Sequence, residues 1–318
     1  MEFGFHTTAE EAATALSSHI RGRTVLVTGP SLGGIGFETA RSIALQNPKV
    51  VILAGRSISK LEDAEREIKK SAPNTPTRLL ELDLSSLSKV RQAAEEFNNC
   101  TDIPKLDVLI ANAAVMACPF KMTEDGELQF ATNHLGHFLF TQLVMHKIIA
   151  AGPGSRIVNV SSTGHRFSDI RWDDINFENG KAYDPWMAYG QSKTANMLYA
   201  ISLAEKLKPK GIQAFSVHPG GINTNLGRHI PRDTMIEMGY YDKDGNPVNS
   251  AAITWKSIGE GASTTIVAAF DPRIADRSGA YLADCKIAEP LNPYAKDPVG
   301  AERLWKLSEK LVGQEFDV

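Results

Sequence analysis

Residues 24–36 read TVLVTGPSLGGIG. Thr24 to Thr28 is a short β-branched, apolar run, the composition of a buried strand. Residues 29–36 hold four glycines in eight positions, and FETARSIAL follows with apolar residues at helical spacing. A strand, a glycine turn and a helix start in that order aim backbone N–H groups and a helix N-terminus at one point. A chain can hold a phosphate there without a charged side chain. The candidate phosphate-facing residues are Gly29, Ser31, Leu32, Gly34, Ile35 and Gly36.

Outward from this stretch the same rhythm continues. Apolar runs at Thr24–Thr28, Val50–Ala54, Arg78–Leu82, Asp107–Ala111, Arg156–Val160 and Gln213–Val217 predict six strands. Amphipathic stretches near 36–46, 58–71, 86–98, 126–150 and 187–208 predict the helices between them. Near-continuous apolar strands alternating with helices specify an α/β fold, a Rossmann-type doubly wound parallel sheet flanked by helices. No repeat, low-complexity tract or linker divides residues 1–318, so one domain is expected. Two irregular segments interrupt the rhythm, 165–186 and 219–256. Long irregular segments inside a compact domain are often functional covers. The second is expected to be a substrate lid.

Composition narrows the partners. The 318 residues are 42% hydrophobic and 22% charged, with net charge −3. That balance gives no reason to expect nucleic acid or an anionic membrane surface. Three widely spaced cysteines, Cys100, Cys118 and Cys285, form neither a disulfide framework nor a zinc pattern. No apolar run reaches the ~18 residues of a membrane span. The first twenty residues carry acids where a secretion signal carries bases, so no targeting signal is expected and the expected location is cytoplasmic.

Other residues carry chemistry. About 20 residues after the glycine turn, this kind of fold places the group that reads a dinucleotide's ribose. Arg56 stands there, and its planar fork suits a 2′-phosphate, which favours NADP(H) over NAD(H). After the third strand, Asp83 with Leu84 is placed to meet an adenine, or Asp83 caps the helix that follows. After the fourth, Asn112 and Ala113 let a cofactor lie close to the backbone, and the amide can tie strand ends together. RIVNVSST ends the fifth strand with Ser161 and Ser162, and AYGQSKTAN sets Tyr189 and Lys193 four apart, on one helix face. A free phenol titrates near pH 10, and a nearby ammonium lowers that. Ser, Tyr and Lys together make an acid/base centre suited to an alcohol or carbonyl.

In this order and spacing, these motifs resemble the short-chain dehydrogenase/reductase family, and within it the retinol-dehydrogenase-like branch and its fungal relatives. The resemblance covers about residues 20–285. It implies that Tyr189 gives and takes the proton, that Lys193 lowers its pKa and binds the nicotinamide ribose, and that Ser162, rather than Ser161, holds the substrate oxygen. It implies that Asn133, in FATNHLGHF, completes a water-borne proton relay to Lys193. It places Pro219, Gly220 and Thr224 against the nicotinamide carboxamide. It also implies association as a homodimer or homotetramer through helices 126–150 and 187–208. The sequence departs from the family in one place that matters. The usual turn is T-G-x-x-x-G-x-G, and here it is one residue longer, with Gly29, Gly34 and Gly36 as the match and Gly33 as the insertion or a substitute. The Gly220-Gly221 pair and Asn223-Thr224-Asn225 are unusual as well.

The resulting expectation is an NADP-dependent oxidoreductase that moves a hydride to or from a small, apolar carbonyl or alcohol. Phe167, Trp172, Trp186 and Met187 supply the apolar surroundings. Two readings on the same scaffold stay open: an epimerase or dehydratase that uses the nicotinamide transiently, and a non-catalytic NADP-binding sensor. His134 and His137 are three apart without a third ligand, so no metal is expected. His165 reads as a loop histidine or a border of the substrate pocket. Trp255 reads as packing. Tyr281 and Cys285 read as a last edge strand.

Overall fold

The run Thr24–Thr28 forms strand β1, with all five residues buried. The computed structural model describes residues 2–250 and 253–318. Strands β2 (Val50–Gly55), β3 (Thr77–Glu81), β4 (Val108–Ala111), β5 (Arg156–Val160) and β6 (Gln213–His218) follow. A short hairpin, β7 (Tyr281–Ala283) and β8 (Lys286–Ala288), completes an eight-stranded sheet. Its spatial order is β3-β2-β1-β4-β5-β6-β7-β8. Every pairing is parallel except β7 with β8. The chain leaves β3 and returns on the other side of β1 as β4, in register Val25 to Val108. Loops after β1 and β4 therefore diverge, and a crevice opens between them at the carboxyl ends of the strands.

Helices cover both faces. They are α1 (Ala9–Ala15), α2 (Ile35–Ala44), α3 (Ile58–Ser71), α4 (Leu87–Asn99), α5 (Gly136–Leu143), α6 (Pro185–Leu207), α7 (Ile258–Phe270) and α8 (Pro298–Val312). Side chains alternate across a strand. Leu26, Ile52, Leu109 and Ile157 face the layer of α4, α5, α6 and α8. Val25, Val27, Val51, Ile110 and Val158 face the layer of α1, α2, α3 and α7. Each such side chain withdrawn from water contributes about 1.5–3 kcal/mol. Helix α6 is capped by Asp184, which accepts from the Trp186 and Met187 N–H groups. Residues 188–200 of α6 are all buried, because α8 lies across them with Trp305 against Tyr199.

The six expected strands are present with ends within one residue. The single helix expected over 126–150 is not. Met122–Thr123 and Gly126–Glu127 form a small hairpin, a π-helical turn spans Ala131–Leu135, and α5 and a further helix, Met145–Ala151, follow. The apolar period continues across these breaks because both sides face the core. The backbone is set instead by close contact: a Cβ on Gly136 would stand 2.3 Å from the Leu84 carbonyl oxygen. Cys285 is a second correction. It lies in the two-residue turn between β7 and β8, with positive φ at Asp284 and Cys285, and β8 rather than β7 is the edge. The segment 219–256 folds as a small parallel pair, Gly221–Ile222 with Trp255–Lys256, around a short helix, Arg232–Glu237. Its residues 251–252 lie outside the described residues.

Candidate active site

A cavity of about 1620 Å³ runs along the carboxyl ends of the strands. Pockets for a single drug-sized ligand are about 300–1,000 Å³, so this one has room for a dinucleotide and a second molecule. The glycine turn forms its floor. Gly29 has φ +68, and a Cβ there would stand 2.8 Å from Ala113. A Cβ on Gly36 would fall 2.3 Å from Asn112 Nδ2 and 2.7 Å from the Gly29 carbonyl oxygen. The turn is thus pressed against the end of β4. Asn112 fixes it there, donating from Nδ2 to the Thr28 carbonyl at 2.9 Å. Gly34 starts α2 without a side-chain cap, which leaves the first N–H groups of the helix open toward the cavity. Ser31, Leu32 and Ile35 line the same wall, and Gly33 does not. Gly33 has φ +74, and a Cβ there would meet nothing within 4 Å, as befits an inserted tip residue.

At the β2 end, Arg56 lines the cavity, exposed and without an ion-pair partner among the described residues. Lys60, one helical turn on, lines it too, and sequence reasoning missed it. Asp83 and Leu84 sit opposite. Asp83 does not cap α4. Its Oδ1 accepts from the Ser85 N–H and hydroxyl, while Asp125 takes the Leu87 N–H.

The other end holds Ser162, Tyr189 and Lys193, all lining the cavity. Tyr189 is 4% exposed. A Cβ on Gly164 would fall 2.7 Å from its ring, so the turn after β5 can close over the phenol only with glycine there. The Ser162 hydroxyl accepts from the Gly164 N–H at 3.0 Å and lies near enough to the phenol to pull its pKa down. Ser161 instead donates to the Lys193 carbonyl at 2.8 Å. Lys193 Nζ donates to the Val160 carbonyl at 3.0 Å and lies 5.5 Å from the Tyr189 ring centre. Burial pushes Tyr189 up to about 12, against the pull of the Ser162 hydroxyl. Burial also pushes Lys193 down to about 7. The expected lowering of the phenol by the ammonium is therefore outweighed by burial in the protein alone.

Asn133 lies behind the wall rather than in it. Its Oδ1 accepts from the Val115 N–H, and its Nδ2 donates to the Val115 carbonyl and the Ser192 hydroxyl, each at 2.9 Å. The amide thus reaches Val115 and α6 rather than Lys193. His134 bonds Ser308, and His137 bonds Thr28 Oγ1 at 2.9 Å. The Thr28 hydroxyl in turn accepts from the Asn112 and Ala113 N–H groups. Among the described residues no cluster suits a metal ion.

After β6, Pro219, Gly220 and Thr224 line the cavity. His218 Nδ1 accepts from the Thr163 N–H at 3.2 Å. Gly220 has φ +99 and is covered by the buried Lys256, whose Nζ lies 2.6 Å from Asp284 Oδ1 and 4.3 Å from the Phe5 ring centre. Phe5, from the segment before α1, was not legible as a lining residue. Of the expected apolar residues, Phe167 and Trp186 line the cavity 5.6 Å apart, and Trp255 joins them from the lid. Trp172 packs on the core under Arg303, and Met187 faces solvent. His165 is buried, bonding the Ser162 carbonyl and the Leu291 N–H.

The family described as short chain dehydrogenase matches residues 23–172. The chain is 38% identical to short-chain dehydrogenase TIC 32 A, chloroplastic, of Brassica napus, over 98% of this chain and 94% of that one. It is 38% identical to short-chain dehydrogenase/reductase prx1 of Penicillium roqueforti, over 92% and 86%. It is equally, 38%, identical to human retinol dehydrogenase 14, over 92% and 87%. Among solved structures, an uncharacterised protein from Mycobacterium paratuberculosis superposes with TM-score 0.70 at 32% identity, covering 94% of this chain and 96% of that one. The chain belongs to the short-chain dehydrogenase/reductase family, in its retinol-dehydrogenase-like branch.

Proposed function

We propose that this oxidoreductase transfers a hydride between NADP(H) and the carbonyl or alcohol carbon of a small substrate, by way of Ser162, Tyr189 and Lys193. One observation carries the reading. A buried phenol, one helical turn from a buried lysine and sharing its wall with the Ser162 hydroxyl, lines the same cavity as the uncapped start of α2.

The residues present fit a nicotinamide dinucleotide. The turn at Gly29, Gly34 and Gly36 and the open N–H groups of α2 would hold the diphosphate. Arg56 and Lys60 would hold a 2′-phosphate, and Asp83 keeps Oδ2 free for the adenine amine. The bound cofactor supplies the hydride. Ser162 and Tyr189 hydrogen-bond the substrate oxygen, and in reduction Tyr189 delivers the proton. The Lys193 ammonium stabilises the phenolate left behind, then passes it a proton and regains one from solvent. Asn133 acts through position: it ties the Val115 segment to Ser192, between Tyr189 and Lys193. The lid closes the substrate end with Trp255 and Met235. Because α8 covers the outer face of α6, this reading favours a monomer over association through that helix.

The test is consumption of NADPH, and separately NADH, with ketones and aldehydes. NADPH-preferring turnover supports the reading. Tight NADPH binding with no carbonyl turnover would point to the sensor reading.

A further inference from the structure

Charge at the substrate end of the cavity has one sign. The chain carries net charge −3. Yet the only described acids lining the cavity are Asp83 and Asp284. Asp83 lies at the β3 end, and Asp284 is paired with Lys256. Lys121, Arg166 and Arg228 line the same cavity as Ser162 and Tyr189, and none has a carboxylate within ion-pair distance among the described residues.

Two of these cations are held in place. Arg166 sits on the turn Thr163–Phe167, directly after Ser162. Its guanidinium stacks on the Phe167 ring at 5.0 Å, and Phe167 leans on Trp186. Stacking fixes the plane of the guanidinium and leaves its edge N–H groups available. Arg228 ends the lid turn Asn225–Gly227, with Nη1 donating to the Asn225 carbonyl at 3.0 Å. The Cys118 thiol, on the wall across from the lid, feels both Arg228 and, more strongly, the buried Glu127, which does not itself line the cavity. Lys121 follows on that wall. Arg232 also lines the cavity, but its guanidinium packs against Gly245 within the lid, so it is turned to other use. Between the cations the surface is apolar, with Phe120, Leu128 and Met235.

We propose that the substrate carries its carbonyl or alcohol on an apolar body and bears an anionic group, carboxylate or phosphate, that Arg166 and Arg228 grip from opposite sides. This rests on the hydride-transfer reading above and names the class of molecule it acts on. A planar guanidinium matches the paired oxygens of either anion. A cleft of one sign also concentrates anions at its mouth. An exposed grip of this kind weakens with salt.

The experiment measures binding by calorimetry to the NADPH-bound protein. The probes are para-acetylbenzoate, para-acetylphenyl phosphate and the neutral methyl para-acetylbenzoate, each at low and high salt. The wild type is compared with the Arg166→Ala/Arg228→Ala double variant, with NADPH affinity as the folding control. At low salt at least one anion is expected to bind about tenfold tighter than the ester, roughly 1.4 kcal/mol. The gap should narrow at high salt and close in the double variant. Which anion leads identifies the headgroup. An ester that binds as tightly, a gap that survives in the double variant, or no binding of any probe would overturn the proposal. Parallel turnover separates the two readings. Anion-selective binding without hydride transfer would overturn the reductase reading alone. Equal turnover of anions and ester would overturn the anion proposal alone.

Discussion

Tyr189 and Lys193 are both pushed toward their neutral forms by the same burial, one to about 12 and the other to about 7. Lys193 is thereby brought near the working pH, but Tyr189 is not, so the proposed proton transfer from the phenol rests on the cavity wall it shares with Ser162 and Lys193. Tyr189→Phe removes only the proton carrier. Turnover should fall by about 10²–10⁴-fold, while calorimetry should find NADPH affinity unchanged. Arg56→Ala removes the group proposed to hold the 2′-phosphate. Losing charge-assisted bonds worth about 1.5–3 kcal/mol should weaken NADPH binding roughly ten- to a hundredfold. NADH affinity, measured in the same titration, should not move. That Arg56, Ser162, Tyr189 and Lys193 share one cavity agrees with the order and spacing that carry the family resemblance. Lys60, Arg166 and Arg228 were not legible in the sequence, because where a long side chain ends is decided by contacts that spacing does not encode.

The glycine turn shows the same boundary within one element. Its extra residue was visible in the sequence, but only the backbone separates the two kinds of glycine. Gly36 is packed against Asn112 and the Gly29 carbonyl, whereas Gly33 stands in open space with φ +74. Gly36→Ala should therefore overpack the turn, costing about 1–3 kcal/mol and the NADPH affinity with it. Gly33→Ala should cost only the left-handed conformation, roughly 1 kcal/mol, and leave the cofactor bound. Urea unfolding with and without NADPH checks the pair. Strands were read closely because buried parallel strands are continuous apolar runs. Residues 126–150 were misread because the apolar period passes straight through the hairpin, the π turn and the break at Val144. Helices α1 and α7 carry capping boxes, Thr8 with Glu11 and Ser257 with Glu260, a local signal that went unused.

For the whole molecule, the buried face of α6 and the buried histidines have measurable consequences. Ala301, Leu304 and Trp305 of α8 occupy the face through which the family resemblance implied association. Sedimentation velocity should find a monomer, and a dimer that survives dilution would contradict this. Burial lowers His134 to about 3, and His137 and His218 to about 4. The unfolded chain takes up protons below about pH 6.5 that these folded-state rings refuse until far lower. The unfolded state therefore binds more protons in that window, and stability falls as pH drops from about 6.5 toward 4. The urea midpoint should be lower at pH 5 than at pH 7. The doubly wound sheet was legible from strand–helix alternation. The C-terminal helix that closes the outer face was not, because nothing local says what a helix will cover.

The central claim is that hydride passes to a substrate carbon while Tyr189 supplies the proton. The most direct test uses NADPH deuterated at the transferable position with a reducible carbonyl compound, and reads deuterium in the product by mass spectrometry. Deuterium on the carbinol carbon with the wild type, and none with a Tyr189→Phe variant that still binds NADPH, is the predicted result. NADPH oxidation without deuterium in the product, or equal labelling by the variant, would contradict it.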